Sequence, residues 1–180
     1  MMFSLTKITK ADWDFFRNLY TDAGIMRFIS DPLSDDQIKY AFEDRLPDWD
    51  LESSHWLCLV IRRDVDGFPM GLTGLKMLRK SGKPVAEVGY MIASEFSGMS
   101  LATDSLAALL VLPELSVISR YQAVITDGNI ASARVLEKNG FTLTEIIKDN
   151  YAIGGALFDD YIYSLEKSVT IKNQLLDSSE

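Results

Sequence analysis

The sequence is poor in the residues that build stapled or metal-bound domains. It holds one cysteine, Cys58, and one histidine, His55, in 180 residues. A single thiol closes no intrachain disulfide and supplies no cysteine-rich zinc site, so no metal is expected and stability has to come from a packed core. Cys58 lies in the apolar run "HWLCLVIR" and is expected to pack as a small hydrophobe. His55 stands far in sequence from every motif discussed below and reads as structural or exposed. No apolar stretch approaches the roughly 20 residues that span a bilayer. The opening "MMFSLTKITKADWD" lacks a basic flank followed by a long apolar segment, so it does not read as a secretory signal, and the expected compartment is the cytoplasm. Basic charge is scarce too: 18 Lys and Arg stand against 26 Asp and Glu, a formal net charge of −8. Binding to a phosphate backbone needs a basic surface, which argues against nucleic acid as a partner. An acidic surface suits a cationic acceptor such as an amine, and equally serves solubility alone.

What is present is the composition of a packed soluble protein, 47% hydrophobic and 24% charged. The length fits one domain, expected over residues 1–168, with residues 169–180 as a C-terminal tail. "ADWDFFRNLYTDAG" carries Trp13, Phe16, Leu19 and Tyr20 at helical spacing and predicts a helix closing on Gly24. "SDDQIKYAFEDRLP" predicts a second helix with Ser34 as N-cap and acidic residues in its first turn. The runs "WLCLVIRR", "GLTGLKMLRK" and "PVAEVGYMI" predict a strand meander joined by the hairpin sequences "DVDGFPMG" and "KSGKPV". A helix from Ser100 to Leu112 follows, apolar enough to lie against a sheet, then alternating strand and helix, then two closing strands. This order predicts an α+β protein with a mixed, largely antiparallel central sheet flanked by helices.

Two segments carry more than fold. In "SEFSGMSLATDSLAALL" a strand gives way to a helix through a Gly and Ser bend, where free backbone amides and the positive end of the helix dipole favour an anion. In "NIASARVLEKNGF", Asn129 caps a helix from Ile130, and Gly140 takes the left-handed C-terminal position, with Phe141 folding back on Leu136. By itself the latter is a short capped helix. With the strand "AEVGYMI" before the loop and "DDYIYSL" near the end, bearing Asp159 and Tyr163 in matching places, the chain resembles the GNAT superfamily of acetyltransferases over roughly residues 4–167. Within it, the likeness is to the RimJ/RimL branch of ribosomal-protein N-acetyltransferases.

That resemblance implies a GNAT-like fold, acetyl-CoA as co-substrate, and particular residues. In the family a loop described as Gln/Arg-x-x-Gly-x-Gly/Ala holds the pyrophosphate, and the matching positions here are Glu95, Gly98 and Ser100. The implied cofactor contacts are Met91, Ile92, Gly98, Met99, Ser100, Leu101, Ala102, Asn129 and Ser132. Ser100 replaces a glycine, and Met99 stands where the branch often has a lysine. The backbone at Tyr90, Met91 and Ile92 would pair with the pantetheine amides as a sheet edge does. Glu87 interrupts an apolar strand on the face of Gly89 and Met91 and is the candidate general base, or else a structural carboxylate paired across the sheet with Lys76. The tyrosine that many members place on the later helix corresponds to Leu136, so the candidate acid is Ser132. A first-turn serine also commonly satisfies its own backbone. Tyr90 is a candidate wall of the acceptor pocket or a core aromatic. Trp13, Phe16, Phe28 and Trp49 read as core or pocket wall, and the acceptor site is expected from loops around Gly24–Pro32 and Asn150–Gly155.

The function implied is acetyl transfer from acetyl-CoA to a primary amine, either a protein N-terminus or a small molecule, by direct attack with general-base help. At pH 7, freeing an N-terminal amine costs about 1 kcal/mol, against about 4.6 for a lysine, so one weak base suits an α-amine better. Two rivals stay open: a non-catalytic acyl-CoA sensing module, and an interaction protein that keeps the fold without the cofactor. Nothing in the sequence reports the oligomeric state.

Overall fold

The computed structural model describes residues 2–78 and 84–167. Seven strands form one sheet: β1 (Phe3–Lys7), β2 (Leu57–Arg63), β3 (Pro69–Leu78), β4 (Val85–Ile92), β5 (Arg120–Thr126), β6 (Thr142–Ile153) and β7 (Ala156–Glu166). Their order across the sheet is β1-β2-β3-β4-β5-β7-β6. Every neighbouring pair is antiparallel except β4 with β5. The expected mixed, largely antiparallel sheet with flanking helices is what forms, an α+β architecture.

Strand alternation sorts the apolar side chains into two cores. Leu59, Leu75, Ala86, Val88, Tyr121, Ala123 and Ile125 face one way and pack with Leu106, Leu109 and Leu136. The last three come from α4 (Leu101–Leu110) and α5 (Ile130–Lys138). Cys58, Val60, Met70 and Leu72 face the other way, onto Phe16, Leu19, Ile38 and Phe42. These belong to α1 (Trp13–Thr21) and α3 (Asp35–Glu43). Cys58 is buried there as expected, and burial pushes its thiol pKa up to about 12.

Ser34 caps α3 in a reciprocal box, accepting from the Gln37 amide while the Gln37 side chain accepts from the Ser34 amide. The first helix departs from expectation. It ends at Thr21, and Gly24 lies inside a separate one-turn helix, α2 (Ala23–Met26), because the Asp22 carboxylate caps a new start by accepting from Gly24 and Ile25. Strand β1 has no counterpart in the sequence-based order. The helix expected from Ser100 to Leu112 is shorter, Leu101–Leu110, and Pro113 opens a 3₁₀ turn instead. Asn150–Gly155 is not a loop: Asn150 to Ile153 finish β6, and Gly154 and Gly155 turn the hairpin to β7. The centre of the "KSGKPV" connection and the tail from residue 169 lie outside the described residues.

Candidate active site

The one parallel seam sets the site. Strands β4 and β5 pair at Val85–Arg120, Ala86–Tyr121 and Glu87–Gln122, and there the register ends. Beyond it β4 runs on to Ile92 and β5 to Thr126, each still paired on its outer side. A cavity of about 880 Å³ opens between them, lined by Val88–Ile92 from one strand and Ala123–Ile125 from the other. The mouth is bounded by the start of α4 and the inner face of α5.

At the α4 end, Gly98 has a φ of 77° and Ser100 a φ of 60°, both left-handed. Glycine takes that conformation freely, whereas serine is strained in it. The Ser100 side chain makes no capping bond, and its carbonyl accepts from Asp104 as the helix begins. The amides of Leu101, Ala102 and Thr103 precede any intrahelical acceptor, as at every helix start. Eight of the nine positions expected to touch cofactor line the cavity: Met91, Ile92, Gly98, Ser100, Leu101, Ala102, Asn129 and Ser132. Met99 does not; it is 55% exposed. Two cations not foreseen from sequence, Arg134 and Lys138, line the cavity from α5 one helical turn apart. They add two positive charges to a cavity wall on which Met99 does not stand. Their i,i+4 spacing was the available signal.

On the α4/α5 side, the Tyr90 hydroxyl lies 2.7 Å from Ser132 Oγ and 3.2 Å from the Ser132 carbonyl. Burial drives the Tyr90 pKa to about 12, so the phenol keeps its proton at neutral pH. Ser132 sits in the first turn of α5 because Asn129 accepts from its amide at 3.2 Å. Thr73, across the ladder from Tyr90, is 2% exposed, and its Oγ1 has no hydrogen-bond partner among the described residues. A buried hydroxyl left so on a cavity wall is an acceptor and donor available to a ligand. Leu136, at the position matching the family's tyrosine, is fully buried in the core and does not line the cavity.

Alternation along β4 turns Glu87, Gly89 and Met91 to the opposite side, toward α1 and α2. Glu87 lines the cavity and stands level with Lys76 on β3 and Gln122 on β5. The cross-strand neighbour named from sequence is therefore present, and the Lys76 ammonium also lies 5.8 Å from the Trp56 ring centre. A Cβ on Gly89 would come within 3.3 Å of the Trp56 indole, so this ring rests on the strand where a side chain is missing. Tyr20, Phe28 and Arg45 complete that side. Of the four aromatic residues left unsorted by sequence, Phe28 is a cavity wall. Phe16 is fully buried, Trp13 meets Phe42 edge-on, and Trp49 packs against the first core. His55 does not line the cavity, and its Nε2 is buried without a partner among the described residues. No three His, Cys, Asp or Glu side chains among the described residues cluster as a metal site. No helix among them is long and apolar enough to cross a membrane.

A sheet parted at its parallel seam thus leaves a cavity lined by a helix start, two cations and a polar pair. Solved structures with this fold include the spermidine N-acetyltransferase of Vibrio cholerae in complex with CoA and spermine, 17% identical over 93% of this chain and 96% of that one, TM-score 0.78. Another is RimL, a ribosomal L7/L12 α-N-protein acetyltransferase in complex with coenzyme A, 17% identical over 92% and 94%, TM-score 0.76. A third is a GNAT-family acetyltransferase from Bacillus anthracis, 16% identical over 92% and 98%, TM-score 0.72. At these identities the likeness is one of fold. No curated protein gives a significant match. Residues 3–142 match the family described as "Acetyltransferase (GNAT) domain". The chain belongs to the GNAT acetyltransferase family, and is an acyltransferase.

Proposed function

We propose that the protein transfers the acetyl group of acetyl-CoA to a primary amine, without a covalent enzyme intermediate. The observation that carries this is the placing of Glu87 at the last paired position of β4 and of the Tyr90–Ser132 pair on its other face in the opened seam, all lining one cavity. The residues present fit the cofactor: left-handed Gly98 and Ser100 before the α4 amides, Arg134 and Lys138 beside them, and the unpartnered Thr73 hydroxyl within. When bound, acetyl-CoA supplies a thioester carbon for the amine to attack. Glu87 receives the ammonium proton, directly or through one water, so that the nitrogen lone pair is free to form the new N–C bond. As the C–S bond breaks, the Ser132 hydroxyl gives its proton to the sulfur and takes one from Tyr90 at 2.7 Å. Glu87 passes that proton to solvent and takes the second N–H proton as the amide forms, while Tyr90 is reprotonated from solvent, so one proton is released per turnover. Tyr90 thereby acts through Ser132, which supplies the acid that Leu136 does not. The products are an N-acetyl amine and the free thiol.

A single carboxylate base deprotonates an α-amine more readily than a lysine-like amine. Thermal unfolding with and without acetyl-CoA tests the cofactor step. Ligand at about 100 times its dissociation constant adds about 2.7 kcal/mol, a visible upward shift. Thiol release with a panel of amines then tests transfer. Glu87→Gln and Ser132→Ala are each expected to lower kcat by about 10²-fold while leaving that shift in place. Tyr90→Phe is expected to lower kcat less, with the same shift. Stabilisation with no turnover on any amine would leave a sensing module, and no stabilisation at all an interaction protein.

A further inference from the structure

The far end of the cavity, toward β2, holds a cation that the transfer chemistry does not use. Arg45 is half-buried and lines the cavity. A guanidinium offers five N–H donors. Two are used: one donates to the Ala41 carbonyl at 2.5 Å and one to the Tyr20 hydroxyl at 3.3 Å, and the group lies 5.6 Å from the Phe16 ring centre. Arg17, Arg62, Arg63 and Arg120 each have a carboxylate within 4.0 Å. Arg45 has none among the described residues, as Arg27 and Arg134 have none, in a chain whose net charge is −8. Its bond to Ala41 anchors it at the carbonyl end of α3, which fixes the guanidinium before any ligand arrives.

The backbone beneath links this cation to the base. Cys58, Gly74 and Gly89 are paired in one row across β2, β3 and β4, and two of the three lack side chains. Arg45 is close enough to Cys58 for its charge to act on the thiol. Glu87 stands on the same face as Gly89, two residues back along β4. From Cys58 to Glu87 the backbone runs two strand spacings across and two residues along, about 12 Å, part of which the two side chains cover, and the Trp56 ring rests on Gly89 beside that path. Among the lining residues Glu87 is the one carboxylate, against three cations. A polyamine would find a single counter-ion here, while a molecule with an amine at one end and a carboxylate at the other would find both of its partners.

Resting on the transferase reading above, we propose that the acceptor is a small amino-carboxylic acid, its carboxylate held by the fork of Arg45 and its amine presented to Glu87. A planar bidentate pair of this kind gives both orientation and selectivity.

The test is thiol release by the full chain with α- and ω-amino acids of increasing chain length, their carboxamides, spermidine, and short peptides with a free N-terminus. The expected result is a kcat/KM at least tenfold higher for one length of amino acid than for its carboxamide. Arg45→Gln should remove that preference by raising KM for the acid alone, and Arg45→Lys, which keeps the charge, should restore part of it. Equal use of acid and carboxamide, a preference for spermidine or peptides, or an equal loss on all acceptors in Arg45→Gln would overturn the proposal. If no amine is turned over although acetyl-CoA stabilises the fold, the transferase reading has failed by itself. Calorimetry of the same amino acids against the CoA-saturated protein then decides: binding that Arg45→Gln abolishes sustains the carboxylate site, and no binding overturns it.

Discussion

Ser100 is the residue at which this chain departs most from easy backbone geometry. A left-handed φ of 60° on a residue with a Cβ costs on the order of 1–2 kcal/mol, of which glycine recovers part after its greater unfolded freedom. Ser100→Gly is therefore expected to raise stability by up to about 1 kcal/mol, read as a higher denaturant midpoint, with acetyl-CoA stabilisation retained. Titration gives a second expectation. Tyr90 and Cys58 both have native pKa values raised to about 12 by burial, from ordinary values of 10.0 and 9.0. Unfolded chains lose these protons first, so stability is full below about pH 9 and declines as pH climbs toward 12. Melting curves from pH 8 to 11 should show this decline, and Tyr90→Phe or Cys58→Ala should each flatten it. Legibility at this scale followed chemistry. Glu87 was conspicuous as a charge within an apolar strand, and Asn129 as a cap before a periodic run. Nothing in the sequence separates Arg45 from the other arginines, because its place on the cavity wall is set by the fold. Tyr90 is a visible aromatic in its strand, but its pairing with Ser132 bridges 42 positions of sequence.

Elements that carry their own local signal were readable; those that depend on partners were not. The α3 helix follows from Ser34 and Gln37 alone. Strand β1 is five residues with little alternation, and exists because Phe3 to Lys7 pair with β2. Strand β6 is exposed along almost its whole length, so it shows no buried periodicity, and its extension to Ile153 depends on β7. The stretch expected as an acceptor loop is the end of this hairpin, and it still bears on the site by another route. The Tyr151 hydroxyl donates to the Ile29 carbonyl at 2.8 Å, and the Gly154 amide to Asp31 at 2.6 Å. Thr126 and Ser94 hold the same segment through Phe28 and Asp22. Gly24, Ile25, Phe28 and Ile29 are thus pinned over the cavity from three strands or their ends. Tyr151→Phe removes one pin worth about 1 kcal/mol. It should speed amide exchange in residues 23–31 roughly fivefold and shift KM for the amine, leaving the acetyl-CoA melting shift unchanged.

Across the whole molecule, two apolar cores clasp the sheet from either side, while strands β1–β4 and β5–β7 are joined by three ladder positions. Deuterium exchange with and without acetyl-CoA should show protection gained chiefly in residues 88–92 and 123–125, since those strand segments face the seam. Uniform protection along the sheet would contradict a ligand seated there. The parted seam has one more effect. Backbone edges usually lie at the rim of a sheet, where they invite pairing by foreign chains. Here the molecule keeps two of them indoors, facing one another behind α4 and α5. The unpaired backbone groups there face an interior cavity and not a rim, so pairing by a foreign chain is hindered where an open edge would invite it.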